Sequence, residues 1–256
     1  MRRIPALHIS CFVVLILALA WTSLLVAEQA GGEAKPSTYA PAKDLRAQVD
    51  VLVVDLESDL AAEGDYSEEH QGRVTKNAST LAAVVLVLGM HDEDNDLKKN
   101  APAILPAAKK LADSAKNFKD AHAALADVKK AMSSGGEGKP LKWAPVADVA
   151  TLMKAVPIVN NSLRRNVEGR RFAQTVDKNA ALATTLAAIA QAAATDTTYC
   201  TDKEAEAEWT KFSYEMRDAS AAVQAAVRKG DIEDSKAALA RVVKTCDACH
   251  HKFRDK

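Results

Sequence analysis

Cys246, Cys249 and His250 fall within five residues near the end of the chain, in Cys246-Asp247-Ala248-Cys249-His250, followed by His251-Lys252-Phe253-Arg254. Two thiols three residues apart, with an imidazole directly after the second, form the C-x-x-C-H pattern of covalent c-type haem attachment. On a helix, positions i, i+3 and i+4 share a face. Both sulfurs can then reach vinyl groups of one porphyrin while the His250 imidazole ligates its iron. With four Cys and six His in the chain, a chance occurrence is expected on the order of once in a thousand such chains. Two other chemistries use the same side chains. Zinc chelation by Cys246, Cys249, His250 and His251 is hampered, because adjacent histidines on a helix diverge by about 100°. A redox dithiol is expected beside a βαβ pattern, and no strand pattern is evident. One covalent haem c, with no substrate turned over, is the expectation.

The elements that must hold this motif are helices. Ala is abundant, aromatics make up 5%, and Gly and Pro cluster in a few places, a composition that favours an all-α fold. Apolar stripes predict a first helix over Lys43–Ala62 and a second over Ser67–Met90. The third follows the acidic loop His91–Asp96 and, with Pro102 and Pro106, starts late or is kinked. The fourth holds Phe118, Leu125 and Val128. Ser133-Ser134-Gly135-Gly136-Glu137-Gly138-Lys139-Pro140 then breaks the pattern, marking a linker over 133–142. Four further helices are predicted at about Val146–Asn166, Phe172–Ala194, Glu204–Lys229 and Ile232–Arg254. Short connections make consecutive helices antiparallel neighbours. The expected architecture is two tandem antiparallel four-helix bundles, 39–132 and 143–256.

The two bundles repeat one another. Tyr39-Ala40-Pro41 with Asp44-Leu45 answers Trp143-Ala144-Pro145 with Asp148-Val149, 104 residues on. Val74-Thr75-Lys76-Asn77-Ala78 answers Val176-Asp177-Lys178-Asn179-Ala180, 102 on. Ala123-Ala124-Leu125-Ala126 answers Ala237-Ala238-Leu239-Ala240, 114 on. Matches in one order at nearly constant offset indicate a duplicated unit. Extended, the last match sets Met132 opposite Cys246 and Gly136 opposite His250, so the first copy is expected to carry no haem. His122 lies too early to serve, and His70 and His91 are expected at the surface.

Arg2 and Arg3 precede an apolar run from Ile9 to Ala27. That is the build of a secretory signal peptide over 1–27, or of an N-terminal anchor if it is not cleaved. Either directs the chain out of the cytoplasm, to the periplasm, with membrane association only for the anchored form. Cys11 in this run receives no role. Residues 28–38 read as a flexible lead-in. Without the leader, 32 basic residues face 34 acidic ones, a balance that offers nucleic acid no footprint.

An Ala-rich helical unit ending in Cys-x-x-Cys-His-x-x-Phe-Arg resembles cytochrome c′ and the class II c-type cytochromes over about Trp143–Lys256. The first half joins the resemblance only through the internal repeat. The resemblance implies Cys246 and Cys249 as attachment sites, His250 as proximal iron ligand, and Arg254 as a basic neighbour of that histidine, though Arg254 equally reads as a solvated charge that complements the helix dipole. It also implies that the first helix supplies the residue facing the iron from the distal side. An aliphatic residue there leaves the iron five-coordinate and open to small gases, whereas Met makes it six-coordinate and suited to electron transfer. Met153, in Thr151-Leu152-Met153-Lys154, is the candidate, with Pro157 four residues on and Val49 opposite it in the first copy. Met216 is the second choice, and a Met on an apolar stripe also serves as plain core packing. Trp209 and Phe212 are expected in the core with haem contact. Arg164, Arg165, Arg170 and Arg171 could meet propionates or an acidic partner, or form a solvated run. Cys200 is left as a free thiol or a link between two chains. The function expected is periplasmic electron transfer with redox partner proteins, and a homodimer is an option. The alternatives are a five-coordinate gas-binding protein and a docking role for the haem-free copy.

Overall fold

The periodic segments fold as eight α-helices, with no strand among the described residues, which are 34–134 and 138–254 of this computed structural model. They are α1 (Ala42–Asp59), α2 (Glu68–Gly89), α3 (Ala101–Ser114), α4 (Phe118–Ser134), α5 (Val149–Val167), α6 (Val176–Ala193), α7 (Lys203–Lys229) and α8 (Ile232–Phe253). The all-α fold read from composition and periodicity is what forms. The leader over 1–27 lies outside the described residues, and no described helix is long and apolar enough to cross a membrane. Of the lead-in, Pro36–Thr38 forms a short 3-10 turn. It is tied down by the Ser37 N–H and hydroxyl, which donate to Asp92 at 2.9 and 2.6 Å.

Local chemistry sets the boundaries. Asp148, Asp202 and Asp231 cap α5, α7 and α8, each side chain accepting a backbone N–H three residues on. Such caps satisfy donors the first helical turn leaves open. Gly230 ends α7 at φ +74°, a left-handed conformation that costs a residue with a Cβ. Pro102 sits in the first turn of α3, where its missing N–H is harmless, and Pro106 lies inside the helix. α5 runs on through Pro157 without a break.

Consecutive helices pack as neighbours in each half, and α8 returns to pack on α5. Lys35 to Lys256 form one compact unit, in which α2 packs on α6, α1 on α6 and α2 on α5. The sequence explains why α2 and α6 occupy the middle. α2 is buried at every position from Ala78 to Leu88, and α6 from Asn179 to Ala193 except at Leu182. A helix apolar on all sides must be covered on all sides. Polar contacts span the halves as well. Arg228 of α7 pairs with Asp44 of α1 and with Asp177 of α6, and the Gln224 amide donates to Asp44 at 2.7 Å. Arg217, 1% exposed, donates to Gln191 at 3.0 Å and to Asp218 at 2.8 Å. Its guanidinium lies over the rings of Tyr39 and Tyr214, 4.8 and 4.3 Å from their centroids.

The copies differ where the motif differs. At the 114-residue offset, α4 starts opposite the start of α8, but it ends opposite Ala248 while α8 continues to Phe253. α7 corresponds to residues 89–115, of which α3 covers only 101–114. The first copy thus lacks the helical wall that carries Trp209 and Phe212 in the second. His91 departs from its expected surface position: it is 1% exposed. Its Nδ1 accepts the Glu93 N–H at 3.1 Å, so Nε2–H donates to the Ala40 carbonyl at 3.1 Å. It fastens the shortened loop to the start of α1. His70 caps α2, its Nδ1 accepting the Ser67 N–H at 3.3 Å. His122 is exposed and stacks on Phe118.

Candidate functional site

α8 is amphipathic, with Ser235, Ala238, Leu239 and Val242 buried along its inner face. Extended by helical steps, that face brings Cys246 and Cys249 to the edge of the core, both half-buried, with His250 half-buried beside them. His251 and Arg254 are exposed. The Arg254 N–H closes the last turn on the His250 carbonyl at 2.8 Å.

The end of α8 meets a small cluster made of Val149 from α5, Ala193 from α6 and Trp209 from α7. Met153, Cys200, Cys249 and Phe253 all pack against it. Three of the residues singled out in the sequence, Met153, Trp209 and Cys249, therefore converge, although nearly a hundred residues separate the first from the last. Trp209 is the anchor: it is 7% exposed, and its indole N–H donates to the Ala193 carbonyl at 2.8 Å. Phe253 stands edge-on to Trp209, with centroids 5.2 Å apart and planes at 88°. It meets Phe212 in the same way at 6.3 Å. Lys252 pairs with Glu208 of α7 at 2.7 Å and clips the helix end in place.

Two residues that sequence reasoning passed over complete the arrangement. Tyr199 stacks on Trp209 at 6.4 Å, and its hydroxyl donates to Asp148 Oδ1 at 3.1 Å. Asp148 Oδ2 accepts the N–H and hydroxyl of Thr151, at 2.8 and 2.9 Å. Burial opposes ionisation of Asp148, but the Thr151 and Tyr199 hydrogen bonds outweigh it and hold the carboxyl below the usual range. Asp-x-x-Thr before an apolar run was a visible capping signal, whereas nothing in the sequence pointed from Tyr199 to Asp148. The loop before α7 is shaped by Asp196, which accepts the Thr198 N–H and hydroxyl at 3.1 and 2.7 Å. This turn leads into Tyr199 and sets Cys200 against the core cluster.

The thiols are those of an apolar environment. Burial pushes Cys249 up to about 11, with Cys246 and Cys200 adding to the effect. Burial raises Cys246 as well, helped by Asp247. Cys200 is raised by burial and by Glu206, Asp202 and Asp196. A redox dithiol has a lowered thiol pKa, and this environment opposes that role. Among the described residues no three His, Cys, Asp or Glu side chains form a group able to hold a metal ion. The site fits a haem by its donor set. It has two thiols and an imidazole on one helix edge, apolar and aromatic side chains beside them, and a thioether on the facing helix.

Other candidates separate from this site. Met216 is 5% exposed in the core of α7 and is not among the side chains on the cluster. Arg164, Arg165, Arg170 and Arg171 are exposed around the connection from α5 to α6. Arg164 lies roughly 16 Å along α5 from Met153. The connection is at the opposite end of the bundle from Cys246 and Cys249, so these arginines form a solvated run rather than a propionate clamp. The chain matches no protein-family model, no curated protein and no solved structure among those compared with it.

Proposed function

We propose that this chain is an exported single-haem c-type cytochrome that carries electrons between partner proteins. Cys246 and Cys249 would hold haem c through thioethers, and His250 and Met153 would ligate its iron. The resemblance of residues 143–256 to class II c-type cytochromes supports this. The observation that carries it is the convergence of Met153 on α5 and Cys249 on α8 at one apolar cluster. Haem, when bound, supplies a one-electron iron couple, and a Met thioether opposite His favours the reduced state.

The remaining contributions come from the polypeptide. Trp209, fixed by Ala193, and Phe253, wedged against Trp209 and Phe212, give the site a stiff apolar wall that excludes water. Asp148 and Tyr199 lock the first turn of α5 to the α6–α7 loop, which sets the register of Met153 one turn further in. Half-burial of Cys246, Cys249 and His250 leaves one edge of the site open to solvent, which suits electron exchange with a docked protein.

The packing of Met153 against the cluster of Val149, Ala193 and Trp209 also suits a plain core role, which would leave the iron open for a gas. Visible spectra of the oxidised and reduced protein, with and without carbon monoxide, separate the two. A low-spin six-coordinate spectrum, converted by Met153→Ala into a high-spin one that takes up carbon monoxide, is the expected result. A high-spin wild type that binds carbon monoxide readily and is unchanged by the substitution establishes the gas-binding alternative. Loss of all covalent haem in Cys246→Ala with Cys249→Ala tests the attachment.

A further inference from the structure

We propose that the haem-free copy is a built-in partner subunit. It occupies a self-complementary face of the haem-bearing copy, and so makes the chain a monomer with one working site. The repeat pairs α1 with α5 and α2 with α6. Under that pairing the contacts across the halves are reciprocal: α2 packs on α6, and the contact of α1 with α6 is answered by that of α2 with α5. Element i touching j while j touches i is the mark of an isologous two-fold interface, here formed between two segments of one chain.

A second, independent feature follows the same axis. On one side Asp44, Asp177 and Arg228 meet. Their counterparts by repeat offset are Asp148, Thr75 and Ser114. On the other side lies a cleft of about 450 Å³ lined by Asp148, Thr75 and Asp113, the neighbour of Ser114, together with Lys109, Pro145 and Thr151. The positions agree, but the side chains have diverged. The arginine that ties the halves together exists on one side alone, with Asp44 at 2% exposure as its partner. A pair of second halves would set Arg228 opposite Asp148 on both sides, so this tie records a divergence between the halves and not a preference between the two pairings. The burial of α2 and α6 supports the assignment, since each is covered on one side by its own half and on the other by the opposite half. A second chain would have to displace the first copy to reach α5 and α6.

The mass of the full exported chain in solution tests this without reference to haem. Sedimentation equilibrium from micromolar to near-millimolar protein is expected to return one chain throughout, and a concentration-dependent doubling of mass overturns the proposal. A protease site inserted within residues 138–142 and then cut gives the second measurement, with denaturing gels confirming the cut and circular dichroism confirming retained helix. The two halves are expected to elute as a single one-to-one particle at micromolar concentration. Halves that separate at once into independent species overturn the inference, whether or not the spectra bear out the haem assignment.

Discussion

At the scale of single residues, the thiols and the Asp148 carboxylate make opposite predictions about pH. Cys249 has a folded pKa of about 11 against an ordinary value of 9.0. Its contribution to stability is therefore complete below pH 9 and lost as pH rises towards 11. In haem-free protein, chemical denaturation should show a loss of stability over that window that is smaller in Cys249→Ala. With both sulfurs bound as thioethers the thiol contribution disappears. Asp148 has the reverse sign: held below its ordinary 3.8, it stabilises the fold above that value and ceases to do so as pH falls through its lowered folded pKa. Asp148→Ala should cost about 1 kcal/mol near neutrality, and the gap from wild type should close below pH 3.8. At this scale the sequence was legible where spacing alone acts, as in the three-residue step that sets Cys246 and Cys249 on one edge of a helix. It was silent on Tyr199 and misleading on His91, because partners 51 residues away, Asp148 and Ala40, decide their surroundings.

At the scale of elements, the helix boundaries were readable to within a few residues because caps, Gly and Pro act locally. Asp202, Asp231 and Gly230 bracket α7 and α8 as their residue types dictate. Gly230→Ala, placing a Cβ at φ +74°, should lower stability by about 1 kcal/mol. Trp209 reads as core in the sequence, and the structure adds that it joins α6, α7 and the tip of α8. Trp209→Ala should cost about 3–5 kcal/mol and lower the melting temperature by roughly 10 °C. It should also loosen the last turn of α8, seen as faster hydrogen exchange there than in α2. The missing turns at the start of α3 were only half legible. Pro102 signals a late start, but that residues 90–100 stand in place of a helical wall follows only from comparing the observed helix bounds at the repeat offset.

At the scale of the whole molecule, periodicity and repeat offsets predicted two four-helix sets, and the described fold contains them. What the sequence could not show is that α2 and α6, so uniformly buried, pack on each other; a buried stripe does not name its partner. In the described part of the connection, Leu141 is seated against the end of α2. A Cβ on Gly89 would collide with Leu141 Cδ1 and lie 2.7 Å from the Ala101 Cβ. Gly89→Ala should therefore lift Leu141 from its seat and speed proteolysis within 138–143, while far-UV circular dichroism stays close to wild type.

The unequal lengths of α3 and α7 have a bearing on descent. Restoring Cys, Cys and His at Met132, Gly135 and Gly136 would reinstate the letters of the motif and none of its wall. The loop over 90–100, fastened by the buried His91, stands where Trp209 and Phe212 would be needed. Because that stretch forms a loop where its counterpart forms a helix, point substitution alone would not give the first half the surroundings that Cys246, Cys249 and His250 have in the second.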